Sequence, residues 1–118
     1  MSKLQATLAA IVIAVGTNAN AAVLSTAPVN WTGEFLYCTI ANTSNRPVEY
    51  TIDVVTVNGT VEDTASGTIG PHSLAAPGVS GGSGTRTDYC RFTVNTDKGN
   101  VRASYCVGDP CKASGDAR

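Results

Sequence analysis

Charge, aromatic rings and helix-forming residues are all in short supply in this chain. Charged side chains make up 14% of it and aromatic ones 6%, with a single Trp, a single Met and a single His. Leu, Glu and Lys are few, while Thr, Ser, Gly, Asn and Val dominate and Gly and Pro interrupt the chain at short intervals. Such a composition disfavours helices and favours an all-β domain of short strands. A formal charge of −1, with no basic stripe interleaved with aromatics, argues against a nucleic-acid or anionic-membrane surface. Glycine-rich phosphate loops and a Ser-His-Asp set are also missing, so no cofactor is expected.

Long apolar runs are absent too, apart from one at the start. MSKLQATLAAIVIAVGTNANA carries one basic residue, Lys3, then an apolar run from Ala6 to Gly16, then Ala19 and Ala21 in the small-x-small pattern that precedes a cut. Residues 1–21 therefore read as a secretory signal peptide, and the apolar run is about half the length that spans a bilayer. Deleting residues 1–21 from 118 leaves 97, enough for one small domain. Loss of Lys3 moves the formal charge to about −2. No membrane span is expected after the cut.

Two strands with one buried face each are the clearest pattern in what remains. Cys90, Phe92 and Val94 alternate with Tyr89, Arg91 and Thr93, and Val101, Ala103 and Tyr105 alternate with Arg102, Ser104 and Cys106. That is period two. With Thr96–Gly99 as a four-residue loop and Gly99 at positive φ, the two arms are expected to pair as a hairpin, Val94 with Val101, Phe92 with Ala103 and Cys90 with Tyr105. Tyr89, Arg91 and Arg102 would then share an outer face, the two arginines diagonal and within reach of one anion or acidic partner. Cys90 points inward and Cys106 outward.

Other strands follow the same logic. After AVLSTAPVNW, where Pro28 confines a short run to an edge, EFLYCTIA places Leu36, Cys38 and Ile40 on one face. VEYTIDVVTV sets Val48, Tyr50, Ile52 and Val54 inward, and the Asn58-Gly59 pair predicts a type I′ hairpin turn with a partner strand over Thr60–Ser66. A brief strand is expected near Ser73–Val79 and a flexible loop over Ser80–Thr85. The sandwich domain is taken as 22–111, and the polar tail 112–118 as disordered.

Four cysteines in an exported chain of this size predict two disulfides. The face argument selects Cys38 with Cys90, both inward, and leaves outward Cys106 for Cys111, only four residues away across VGDP. Spacings of 51, 15 and 4 intervening residues do not make the two close pairs of a zinc site. His72 stands alone in a Gly- and Pro-rich loop, and Asp53 with Glu62 or Asp63 lacks a calcium-loop spacing. Asn30-Trp31-Thr32, Asn42-Thr43-Ser44 and Asn58-Gly59-Thr60 match the N-glycosylation pattern.

Leu36-x-Cys38, then Tyr89-Cys90-Arg91-Phe92-x-Val94, then Val101-Arg102-Ala103-Ser104-x-Cys106-Val107 and a last cysteine at Cys111, resembles a group of small exported bacterial proteins, mostly uncharacterised. The resemblance implies a small immunoglobulin-like antiparallel β-sandwich of about seven strands, and it brings no catalytic residue. The polar C-terminal end departs from the group. So does Trp31 from true immunoglobulin domains, since it precedes Cys38 in place of lying between the cysteines. What emerges is a monomeric, exported, non-catalytic binding or structural module, periplasmic or extracellular, whose partner is a protein or a glycan. Two other classes stay open: a fibre or pilus-like subunit assembling by strand exchange, and a hydrolase using His72 or Asp53 with Glu62.

Overall fold

The computed structural model describes residues 21–80, 85–108 and 110–118; residues 1–20 of the expected signal peptide and most of the expected Ser80–Thr85 loop lie outside them. Ten strand segments run β1 Ala22–Ser25, β2 Val29–Thr32, β3 Phe35–Asn42, β4 Val48–Thr56, β5 Val61–Ile69, β6 Leu74–Ala75, β7 Gly78–Ser80, β8 Thr85–Val94, β9 Val101–Val107 and β10 Ala113–Asp116. They form two antiparallel sheets, with orders β1-β8-β4-β5 and β10-β9-β3-β6. β2 continues β1 along β8, and β7 continues the β6 edge along β3. The all-β sandwich expected from composition is thus built from four strand positions per sheet. Pro28 sits in the break between β1 and β2, where Thr26 takes over the pairing: its N–H donates to Cys90 O and its Oγ accepts from Cys90 N, both at 3.0 Å.

Alternation decides the core. Leu36, Cys38 and Ile40 from β3, Ile52 and Val54 from β4, Cys90, Phe92 and Val94 from β8, and Val101 and Val107 from β9 are all buried in one cluster. Each large apolar side chain so buried contributes roughly 1.5–3 kcal/mol. β3 and β8 are interior strands of their sheets, and the Cys38–Cys90 disulfide, Cα–Cα 5.8 Å, joins the two sheets through the middle. Both disulfides chosen by the face argument are present.

The expected hairpin between the Asp88 and Val107 arms does not form. β8 pairs with β4, Phe92 opposite Ile52, and β9 pairs with β3, Ala103 opposite Ile40. Periodicity assigns a face and not a sheet, so residues read as side by side are instead opposed across the core. The connection arches between sheets through a single 3-10 turn at Lys98–Asn100, and Gly99 takes no positive φ. Asn95 ties the arch to β4, its N–H donating to Glu49 O and its Oδ1 accepting from Glu49 N, while Asn100 O accepts from Thr43 N beside β3.

The β4–β5 hairpin does form, with a different turn. Only Gly59 has positive φ (88°), and Asn58 does not. A three-residue loop is closed by Gly59 N to Thr56 O and Thr56 N to Thr60 O, both 2.9 Å, the arrangement in which one left-handed glycine suffices. A bulge follows, Val54 opposite Asp63 but Val55 opposite Val61, which leaves Glu62 as the extra residue.

The C-terminal tail is a strand where disorder was expected. β10 pairs with β9, then Ala117 N donates to Ala103 O, and Arg118 and Ser25 exchange two backbone bonds of 3.0 Å that tie the tail to β1 of the other sheet. The tail has no large apolar anchor; backbone pairing orders it. Three glycines on edge strands each lie directly opposite a tyrosine: Gly67 under Tyr50, Gly78 under Tyr37 and Gly115 under Tyr105. A Cβ at those positions would lie 3.2, 2.8 and 2.6 Å from the ring or its hydroxyl. The rings lie over bare backbone, which compensates the edge glycines for their missing side chains.

Candidate functional site

Two sheets mean two outer faces, and the residues expected to act together are divided between them. Arg91 lies on β8, where its Nη2 and Nε donate to Asp53 Oδ2 at 2.9 and 3.3 Å, and Thr64 Oγ1 donates to Asp53 Oδ1 at 2.9 Å. The hydrogen bond to Asp53 holds the Arg91 guanidinium charged to still higher pH than usual, against a smaller opposing effect of burial. Tyr89 is half-buried two residues away, opposite Val55. Arg102 stands on β9, exposed on the other sheet. Because β8 and β9 do not pair, Arg91 and Arg102 are not diagonal neighbours and cannot close on one anion.

The acid-base candidates are similarly engaged. Asp53 is held by Arg91 and Thr64, and the bulged Glu62 by an ion pair with Arg86. His72 is exposed in a turn at φ 57°, with its Nε2 3.1 Å from Asn45 Oδ1. All four cysteines are in disulfides. Of the glycosylation triplets, Asn42 is buried: its Nδ2 donates to the carbonyls of Arg46, Ile69 and Gly70 and its Oδ1 accepts from Ser44. Asn30 and Asn58 are exposed.

A polar cluster that sequence reasoning missed closes one part of the core. Asp88 is 1% exposed, and its Oδ2 accepts from Trp31 Nε1 at 2.9 Å, with Arg86 Nε at 3.6 Å. Arg86 also stacks its guanidinium 5.3 Å from the Trp31 ring centre. A buried carboxylate needs such partners. The available signal was parity: Asp88 shares the inward face of Cys90.

A second feature lies where β10 leaves its sheet. The tail follows β9 as far as Ala117, whose N–H donates to Ala103 O, and then crosses at Arg118 to Ser25. The start of β9 therefore lacks an outer neighbour, and an open notch of about 500 Å³ remains, lined among others by Lys98, Arg102, Arg118, Asp116, Thr39 and Ser104. Of the seven basic residues after residue 21, Arg86, Arg91 and Lys112 are ion-paired. Arg46, Lys98, Arg102 and Arg118 have no carboxylate partner among the described residues, and three of these four line the notch. Arg102 spends one donor on Val101 O at 3.2 Å. Arg86, Arg91 and Lys112 each face a carboxylate, whereas here three cations share the lining with one side-chain carboxylate, that of Asp116.

Comparison of the chain with protein-family models, curated proteins and solved structures finds no match. Fold and geometry together define a two-disulfide antiparallel β-sandwich with a notch in which three cationic side chains outnumber the carboxylate of Asp116.

Proposed function

We propose that the chain is an exported, non-catalytic binding or structural module of a bacterial cell envelope or the space outside it. The observation that carries this reading is the Cys38–Cys90 disulfide: both residues are at most 1% exposed, and together they lock the centres of the two sheets. Such a bond persists in an oxidising compartment, and the frame it makes suits presentation of a fixed surface to a protein or glycan. Against a hydrolase weigh the ion pairs that occupy Asp53 and Glu62 and the lone, exposed His72. Against a strand-exchanging fibre subunit weighs β1, already paired along its length with β8 and carrying Leu24 into the core.

The test is a native mass spectrum and a non-reduced peptide map of the protein purified from the envelope or medium of a bacterial host. A mass for residues 22–118 less four hydrogens, with Cys38 joined to Cys90, is expected. A retained 1–21 segment or free thiols would overturn the exported reading, and a ladder on an unboiled gel would favour the fibre.

A further inference from the structure

We infer that the notch beside β9 binds an acidic sugar, a saccharide bearing carboxylate or sulfate groups. This rests on the binding-module reading and gives it a ligand class. The ligand is identified by what the notch offers. Lys98 and Arg102 reach it from the arch and the uncovered start of β9, and Arg118 reaches it from the crossing tail. None of the three makes an ion pair among the described residues, and the one carboxylate side chain in the lining, Asp116, leaves the three cations in excess; Arg86, Arg91 and Lys112 are by contrast already paired. Arg102 in particular presents a planar fork suited to a carboxylate or sulfate.

A bare anion would need only those cations. The notch adds Asp116, Thr39 and Ser104, one acceptor and two hydroxyls, which match sugar hydroxyl groups. Among the described residues its lining has no aromatic ring on which a nucleobase could stack, and the hydroxyl and carboxylate groups beside the cations suit a sugar. A volume of about 500 Å³ falls within the usual range of small-ligand sites. The notch also lies on strand backbone and a tied arch, so the backbone positions that carry Lys98 and Arg102 are fixed before a ligand arrives.

The experiment uses the disulfide-intact protein purified as above, labelled for amide NMR, and titrated with oligogalacturonate, a sulfated heparin-type oligosaccharide and neutral maltotriose at about 20 and 150 mM salt. One or both acidic sugars should shift the amides of residues 98–104 and 116–118, and maltotriose should not; which acidic sugar binds identifies the anionic group. Affinity should fall roughly five-fold in Arg102→Gln and again in Lys98→Gln, and should weaken at the higher salt. Arg46→Gln, away from the notch, should bind as the parent does. Shifts confined to another surface would overturn the notch and leave the module reading standing. Failure of both acidic sugars to bind, or undiminished binding by an Arg102→Gln, Lys98→Gln protein whose free spectrum matches the parent, would also overturn it.

Discussion

Removing the inner disulfide should cost this domain about twice what removing the outer one costs. Cys38 and Cys90 are 52 residues apart and Cys106 and Cys111 only 5. On the chain-entropy account the first closure destabilises the unfolded chain by about 4 kcal/mol and the second by about 2. Cys38→Ala with Cys90→Ala also removes two sulfurs from fully buried positions, which adds on the order of 1 kcal/mol of lost packing. The total approaches the lower end of the ~5–15 kcal/mol that stabilises a domain. Urea unfolding followed by Trp31 fluorescence reads this directly, because the indole is 3% exposed and bonded to Asp88. With a slope of about 1 kcal/mol per molar urea, the inner pair should lower the midpoint by several molar, or leave no folded baseline. The outer pair should lower it by about 2 molar or less. An outer pair as costly as the inner one, or an inner pair costing less than ~2 kcal/mol, would refute the reasoning.

Gly115→Ala should destabilise by about 1–3 kcal/mol in the same assay, since its Cβ would meet the half-buried Tyr105 ring. Gly67→Ala, with its wider clearance under Tyr50, should cost less; the reverse order would show that the rings simply swing aside. Asn42→Ala should cost about 2–4 kcal/mol, because three backbone carbonyls and the Ser44 N–H lose a partner in one step. A loss below ~0.5 kcal/mol would mean that water replaces the side chain.

Faces were legible in the sequence and neighbours were not. Leu36, Cys38, Ile40, Cys90, Phe92 and Val94 announce their burial by alternation, from which the inner disulfide follows; the outer one follows from the outward face of Cys106 and the nearness of Cys111 in the chain. Nothing in alternation says which strand lies alongside. A tight turn after Val94 and an arch after Val94 leave the same residues facing inward, so the Lys98–Asn100 turn could be read as the tip of a hairpin. That error carried into the site. Arg91 seemed free because Asp53 became its neighbour only through β4–β8 pairing, and Arg118 seemed irrelevant because the tail has no apolar residue to advertise a strand. β10 is held by backbone bonds and by a tyrosine over Gly115, neither of which leaves a hydrophobic signature. Arg102 was found, but not Lys98 and Arg118 around it.

Both disulfides join cysteines that are consecutive along the chain, the first with the second and the third with the fourth. For a chain delivered N-terminus first into an oxidising compartment, this order has a kinetic consequence. Cys38 has one possible partner, Cys90, until the later cysteines emerge, and by then every strand of the β1-β8-β4-β5 sheet is available to hold the two in register. Cys106 and Cys111 arrive last and close on each other across a short turn. Under the proposed export, vectorial delivery would make the native connectivity the default among three, with little demand for reshuffling by an isomerase.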